Sequence, residues 1–254
     1  MNAKSAHMPS ALAVVLAAGL VAGLSAITAL AQPTPDYKAL LNTPDRSPAD
    51  LKADQRRDPV PFLTFAGVRP GMKVLDMAAG GGYSTELMAR AVAPNGTVYG
   101  QNPPDASEKM KAAFEARMKT PTMKDVVADI RPYDDPIPPG VQNLDLITFL
   151  FFYHDTSYMK VDRAAMDRAM FAGLKPGGYL VIADHSALPG QGLSVVKTLH
   201  RIEEATLRKE IEAAGFKFVA EGNFWRNPGD THDFVSYRPV VPVDNFVLKF
   251  AKPM

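Results

Sequence analysis

Cysteine is missing from all 254 residues. No disulfide framework, thiolate nucleophile, cysteine-based zinc site or lipid-modified cysteine can therefore exist, and the redox compartment cannot be read from thiols. A surplus of either charge is missing too, since 28 Lys+Arg oppose 27 Asp+Glu for a formal net charge of +1. Nothing in that balance marks a surface built to track a phosphate backbone, and nucleic acid is not expected as a partner. Internal repeats and low-complexity blocks are absent. With 46% apolar and 22% charged residues, global disorder, collagen and coiled coil are excluded. Chemistry must come from His, carboxylates, Tyr, Lys or a bound cofactor.

Residues Ala11 to Ala31 carry no charge, come after a short start containing Lys4, and end in Ala29-Leu30-Ala31. This pattern reads as a signal peptide over residues 1–31 with cleavage after Ala31, an uncleaved anchor being the alternative. Either reading places the rest of the chain outside the cytoplasm, periplasmic or secreted. Cleavage removes Lys4 and no acid, so the mature protein is formally neutral, with no stable membrane association expected. Residues 32–58, with Pro33, Pro35, Pro44 and Pro48, read as an arm or linker holding one short helix after Ser47-Pro48. Residues 59–254 read as one domain.

Within that domain the hydrophobic period alternates between that of a strand and that of a helix. A helix over Pro59–Gly67, capped by Asp58, leads to a strand over Lys73–Met77, a loop at Gly80-Gly81-Gly82 and a helix over Ser84–Ala93. Further strands are expected at Thr97–Gln101, Val126–Ile130, Leu144–Leu150, Tyr179–Ala183, Phe216–Ala220 and Asn245–Phe250. Helices are expected at 105–119, 159–171 and 202–214, and Lys175-Pro176-Gly177-Gly178 reads as a turn. The pattern is that of an α/β fold, a doubly wound, seven-stranded, mostly parallel sheet ending in an antiparallel hairpin. Ligands then bind at the carboxyl ends of the strands.

The most informative stretch is Val74-Leu75-Asp76-Met77-Ala78-Ala79-Gly80-Gly81-Gly82-Tyr83, which joins the first strand to its helix. Glycines there let a ligand press against bare backbone. A dinucleotide fingerprint would need a third glycine where Thr85 stands. The acidic strand end followed by a glycine-rich loop resembles the class I S-adenosylmethionine-dependent methyltransferases. Together with Leu174-Lys-Pro-Gly-Gly178, His200-Arg-Ile-Glu-Glu204 and Phe246-Val-Leu-Lys-Phe250, it resembles a group of predicted bacterial methyltransferases, many with leaders, over about residues 50–254. The resemblance implies a Rossmann-like methyltransferase fold with S-adenosylmethionine as cofactor. It also implies that Asp76, the backbone of Ala78, Gly80 and Gly82, and Tyr83 face the methionine part, and that Asp129 sits by the adenine. Two departures stand out. Ala78 replaces a usual glycine, and Asn102 stands near where an acid usually chelates the ribose, able to accept one hydroxyl proton but supplying no charge.

Four histidines of the mature chain, His154, His185, His200 and His232, fall at the ligand-binding edge of this sheet. His154, after the fourth strand, is the first candidate for a base that deprotonates a methyl acceptor, and His185 the second. Tyr153, His200, Arg201 and Trp225 are candidate substrate contacts. Phe151 and Phe152 read as core, and the long segment Gly222–Asp244, holding the only Trp, as a lid or substrate wall. No H-x-x-H or H-E-x-x-H spacing occurs, so no metal site is expected, although imidazole and carboxylate have the right ligand chemistry. The expected function is methyl transfer from S-adenosylmethionine to a small molecule. The alternative is a non-catalytic, exported binding protein on the same scaffold.

Overall fold

In the computed structural model, which describes Met1 and residues 33–254, the sheet contains seven strands in the order β3-β2-β1-β4-β5-β7-β6. These are β1 Lys73–Met77, β2 Thr97–Asn102, β3 Val126–Ile130, β4 Leu144–Leu150, β5 Leu174–His185, β6 Lys217–Gly222 and β7 Asn245–Ala251. The first five run parallel to one another, while β7 lies antiparallel between β5 and β6. The leader lies outside the described residues. Among those described, no helix is long and apolar enough to cross a membrane.

Side-chain alternation divides the core between the two sheet faces. Leu75, Met77, Leu180, Ile182, Leu248 and Phe250 join one cluster with Met166, Met170, Leu207 and Ile211. These last four come from helices α6 (Arg163–Gly173) and α8 (Glu204–Ala213). Their strand neighbours Val74, Val181, Ala183 and Val247 join Phe62, Leu63, Leu87 and Met88 on the other face. That second set is carried by α3 (Pro59–Ala66) and α4 (Tyr83–Val92). Strand order reverses between β1 and β4, which opens a crevice at their carboxyl ends.

Several local expectations are corrected. Asp58 makes no side-chain cap on α3, because it adopts a left-handed backbone with φ 38°. Lys175–Gly178 belongs to β5, whose ladder with β4 absorbs the Pro-Gly-Gly through a register shift. His200 ends a short helix, α7 (Val196–Leu199), that the pattern does not reveal. The arm is no free linker, since it shares one body with the sheet domain. Its helix α1 (Tyr37–Leu41) is held by buried Tyr37, whose hydroxyl donates to the Val68 carbonyl, and α2 (Pro48–Arg57) is bolted down by buried ion pairs. Glu86 of α4 receives Arg46, Arg90 and Arg117, while Asp50 and Asp54 of α2 pair with Arg117 and Arg46.

Candidate active site

The loop after β1 is held from below by side chains that do not reach a ligand. Asp76 is 1% exposed, and its carboxylate accepts hydrogen bonds from Ser84 and Thr85 at 2.8 and 2.7 Å and from Thr148 at 2.9 Å. Burial pushes its pKa up, against the pull of those three hydroxyls. The expectation that Asp76 faces the cofactor is therefore corrected: three neighbours saturate it, and it positions the loop and the start of α4. Asn102 is corrected likewise. It is 3% exposed, its Oδ1 accepts the Gly80 N–H at 2.9 Å, and its Nδ2 donates to the Gly80 carbonyl at 3.0 Å. Gln101 accepts the Ala78 N–H at 3.0 Å in the same way. The loop so fixed has left-handed backbone at Ala78, Gly80 and Gly82, with φ of 53°, 59° and 82°. At Ala78 this conformation carries the steric cost of a Cβ that glycine would avoid.

Two cavities open above this edge. One, of 570 Å³, lies between the arm and the loop and is lined by Ala78 to Gly81, Tyr83, Ser84, Arg57 and Phe151. The other, of 540 Å³, is lined by His185, Phe224, Trp225, Tyr237, Asn245 and again Arg57 and Phe151. Arg57 and Phe151 thus stand where the two meet. Phe151 adopts a left-handed φ of 59°, a strained conformation for a bulky residue, and stacks on His185 at 5.1 Å between ring centroids. It is partly buried, packed against the second core cluster while also lining the cavities. The Arg57 guanidinium lies 5.1 Å from the Tyr83 ring and makes no ion pair or side-chain hydrogen bond among the described residues. Tyr83 in turn donates its hydroxyl to Asp54 at 2.6 Å. The segment between β6 and β7 supplies the aromatic wall, with Trp225 stacked on Phe62 and donating its indole N–H to the Arg57 carbonyl.

Three of the four histidines converge, and His232 does not. The His154 ring lies 5.6 Å from that of His185 and 5.4 Å from that of His200. His154 Nδ1 is 2.7 Å from Asp184 Oδ1, and its Nε2 is 3.1 Å from Asp155 Oδ1. Burial disfavours charge on this ring, but Asp184 and then Asp155 outweigh it and push its pKa up to about 10. A ring that keeps its proton at neutral pH is a poor base, which reverses the ranking of the two candidates. His185 has the opposite balance, its pKa lowered chiefly by burial. Its Nδ1 lies 2.6 Å from Asn245 Oδ1, which can only accept, so Nδ1 carries the proton and Nε2 keeps its lone pair.

A model of the ubiE/COQ5 methyltransferase family matches residues 60–203, more than half of the chain. The chain belongs to the ubiE/COQ5 methyltransferase family. It is accordingly an S-adenosylmethionine-dependent methyltransferase. The ubiquinone/menaquinone biosynthesis C-methyltransferase UbiE of Shewanella sp. (strain W3-18-1) is 26% identical over 188 residues, 74% of this chain and 66% of that protein. The chain thus spans just under two thirds of such relatives. A SAM-dependent methyltransferase from Aquifex aeolicus has the same fold with TM-score 0.57 and 20% identity, over 84% of this chain and 95% of its own. A putative sarcosine dimethylglycine methyltransferase from Galdieria sulphuraria superposes with TM-score 0.58 and 16% identity, over 80% and 86%.

Two groups of the site could hold the cofactor. Arg57 offers a cation, unpaired among the described residues, beside the glycine loop. Asp129, which the resemblance assigns to the adenine, is 6% exposed and its Oδ2 is buried without a hydrogen-bond partner, an acceptor open to an amine. For the ribose, Asn102 is already engaged by Gly80. Two expected substrate contacts are corrected outright. Tyr153 is 0% exposed, its hydroxyl wedged between Asp167 and Glu210 at 3.0 and 2.9 Å. Arg201 is equally buried, paired with Asp230 at 2.8 and 3.2 Å and bonded to the carbonyls of Ser186 and Phe234. Both act as internal struts. Trp225 and His200 remain accessible at the edge. Arg57 and Gln101 were not singled out from the sequence; for Arg57 the available signal was a basic pair, Arg56-Arg57, closing α2 just before α3.

Proposed function

We propose that this methyltransferase acts on a small aromatic acceptor held in the Trp225 cavity, with His185 as the general base. The observation that carries this reading is the pair of cavities meeting at Arg57 and Phe151, one between the arm and the glycine loop and the other walled by aromatics with His185 in its lining. S-adenosylmethionine supplies an electrophilic methyl group on a sulfonium. Arg57 takes the cofactor carboxylate, a charge-assisted contact for a cation that otherwise lacks a partner. Asp129 accepts from the adenine amine. Phe151 and Trp225 present ring faces, which hold a planar acceptor and favour a neighbouring cation. Nε2 of His185 would take the proton that the acceptor atom loses as it gains the methyl group, the methyl–sulfur bond breaking and S-adenosylhomocysteine leaving with its electron pair, and Asn245 keeps the ring in the tautomer that can do so. The relatives named for ubiquinone and menaquinone biosynthesis are in keeping with an aromatic acceptor. We also propose that the domain works outside the cytoplasm, as the leader implies; a mature N-terminus at Gln32 would support export, and recovery of the protein in the cytoplasmic fraction alone would refute it.

Calorimetric titration with S-adenosylmethionine and S-adenosylhomocysteine tests the cofactor site. Saturable binding is expected, and it weakens as pH falls. Burial raises the Asp129 pKa to about 6, ahead of the opposing pull of Arg131. The group is therefore a carboxylate at pH 7.5 and mostly the weaker-accepting acid at pH 5. A hydrogen bond to a charged group contributes about 1.5–3 kcal/mol, and with roughly one tenth of the sites still ionised at pH 5 the affinity should drop by up to about 10-fold across that interval. Asp129→Asn should abolish most of the pH dependence. A flat profile in the wild type would remove Asp129 from the site, and no binding up to millimolar cofactor would return the scaffold to the non-catalytic alternative.

A further inference from the structure

We propose that His154, Asp155 and His200 form a binding site for a divalent first-row transition cation. Their donor atoms converge on one point: His154 Nε2 is 3.1 Å from Asp155 Oδ1 and 3.3 Å from His200 Nδ1, and the latter two are 3.0 Å apart. A cation about 2.0–2.2 Å from each of three such donors keeps them about 3.0–3.4 Å from one another, so the triangle already has the required size. Two imidazoles and one carboxylate on a single face leave further coordination positions open, as in catalytic rather than closed structural sites.

The surroundings are those of a metal centre. Asp184, 0% exposed, accepts from His154 Nδ1 and from the His154 backbone N–H at 2.8 Å. This holds one proton on Nδ1, so that Nε2 becomes the ligand once an incoming cation displaces the second proton of the ring. Asp155 is steadied by the Tyr158 hydroxyl. His200 is held in a left-handed conformation, φ 50°, with its carbonyl accepting from Ser236 at 3.0 Å. Backbone strain that aims an imidazole at two other donors is a feature of functional positions. The ring edge is flanked by Tyr158 and Tyr237, on the side where His200 remains 25% exposed, so a cation and an oxygen ligand can enter there. The donor set, with no thiolate, suits zinc, iron(II) or manganese. A residue spacing search misses it because the three ligands lie on two segments 45 residues apart in the chain, Asp155 to His200.

Chelator-stripped protein, titrated with zinc and manganese by calorimetry and with cobalt by visible absorption, should take up one equivalent. The expected affinity is micromolar or tighter. His200→Gly removes one ligand and suits the positive φ, so it should fold with a wild-type melting profile and bind at least 100-fold more weakly. Asp184→Asn should lose roughly 10- to 100-fold through orientation alone, and His232→Ala should bind as the wild type does. No saturable uptake by the wild type, or unchanged uptake by folded His200→Gly, would overturn the site. Because neither cofactor nor acceptor is present in this titration, its outcome is independent of the methyl-transfer reading.

Discussion

His185→Gln is expected to leave S-adenosylmethionine affinity within about twofold of wild type while lowering turnover by roughly 10²- to 10⁴-fold, the range lost with a positioned general base. Glutamine retains a polar group of similar reach but cannot take a proton, so the change removes chemistry more than contact. The site is built for that role. His185 and Asn245 are direct partners in the β5–β7 ladder, and the sheet itself delivers the carboxamide oxygen to Nδ1. Stacking against Phe151 fixes the ring plane, with 18° between the rings. Neutral His185 beside charged His154 is a division that neither residue type would predict. It arises from Asp184, whose Oδ1 serves the His154 ring and, in His185, only the backbone N–H. The measurement is release of S-adenosylhomocysteine with a panel of phenols and hydroquinones. Undiminished turnover by His185→Gln, on any acceptor that the wild type methylates, would rule out the base.

Asp76→Ala should destabilise the protein by about 3–5 kcal/mol and abolish cofactor binding together with it. Alanine leaves the hydroxyls of Ser84, Thr85 and Thr148 without their shared acceptor. Each buried group so deprived costs about 1–3 kcal/mol, and the three are too close to add independently. The carboxylate also faces the start of α4, where negative charge is favourable. Its loss unties helix, loop and β4 at one point. Asp76→Asn keeps one acceptor oxygen and should cost only about 1–2 kcal/mol. Urea unfolding paired with the cofactor titration separates the two possible roles of this residue. Binding lost at unchanged stability would mean that the carboxylate touches the ligand and that the positioning account is wrong.

The same contrast runs through the molecule. Strands β1, β3 and β4 were legible to the residue because a run such as Val74-Leu75 or Leu144–Leu150 needs two buried faces whatever lies next to it. Helix α4 was legible from the spacing of Leu87, Met88, Ala91 and Val92. Tyr153 and Arg201 were misassigned because a polar side chain at a strand end looks the same whether it meets a ligand or a distant carboxylate. Glu210 lies 57 residues from Tyr153, and Asp230 lies 29 from Arg201.

Sequence alone thus determined the strand and helix alternation, the sheet class, the glycine loop and the methyltransferase class, since each rests on local period, on backbone freedom or on a short contiguous motif. Tertiary structure decided which of the polar residues at the sheet edge face a ligand. Asp76 and Asn102 turn inward because hydroxyls and backbone groups saturate them, His185 stays neutral because burial outweighs a nearby carboxylate and the Asn245 contact, and His154, Asp155 and His200 meet at one point. Hydrogen-bond saturation and charge balance depend on partners that only folding brings together, and a linear pattern of residues does not contain those distances.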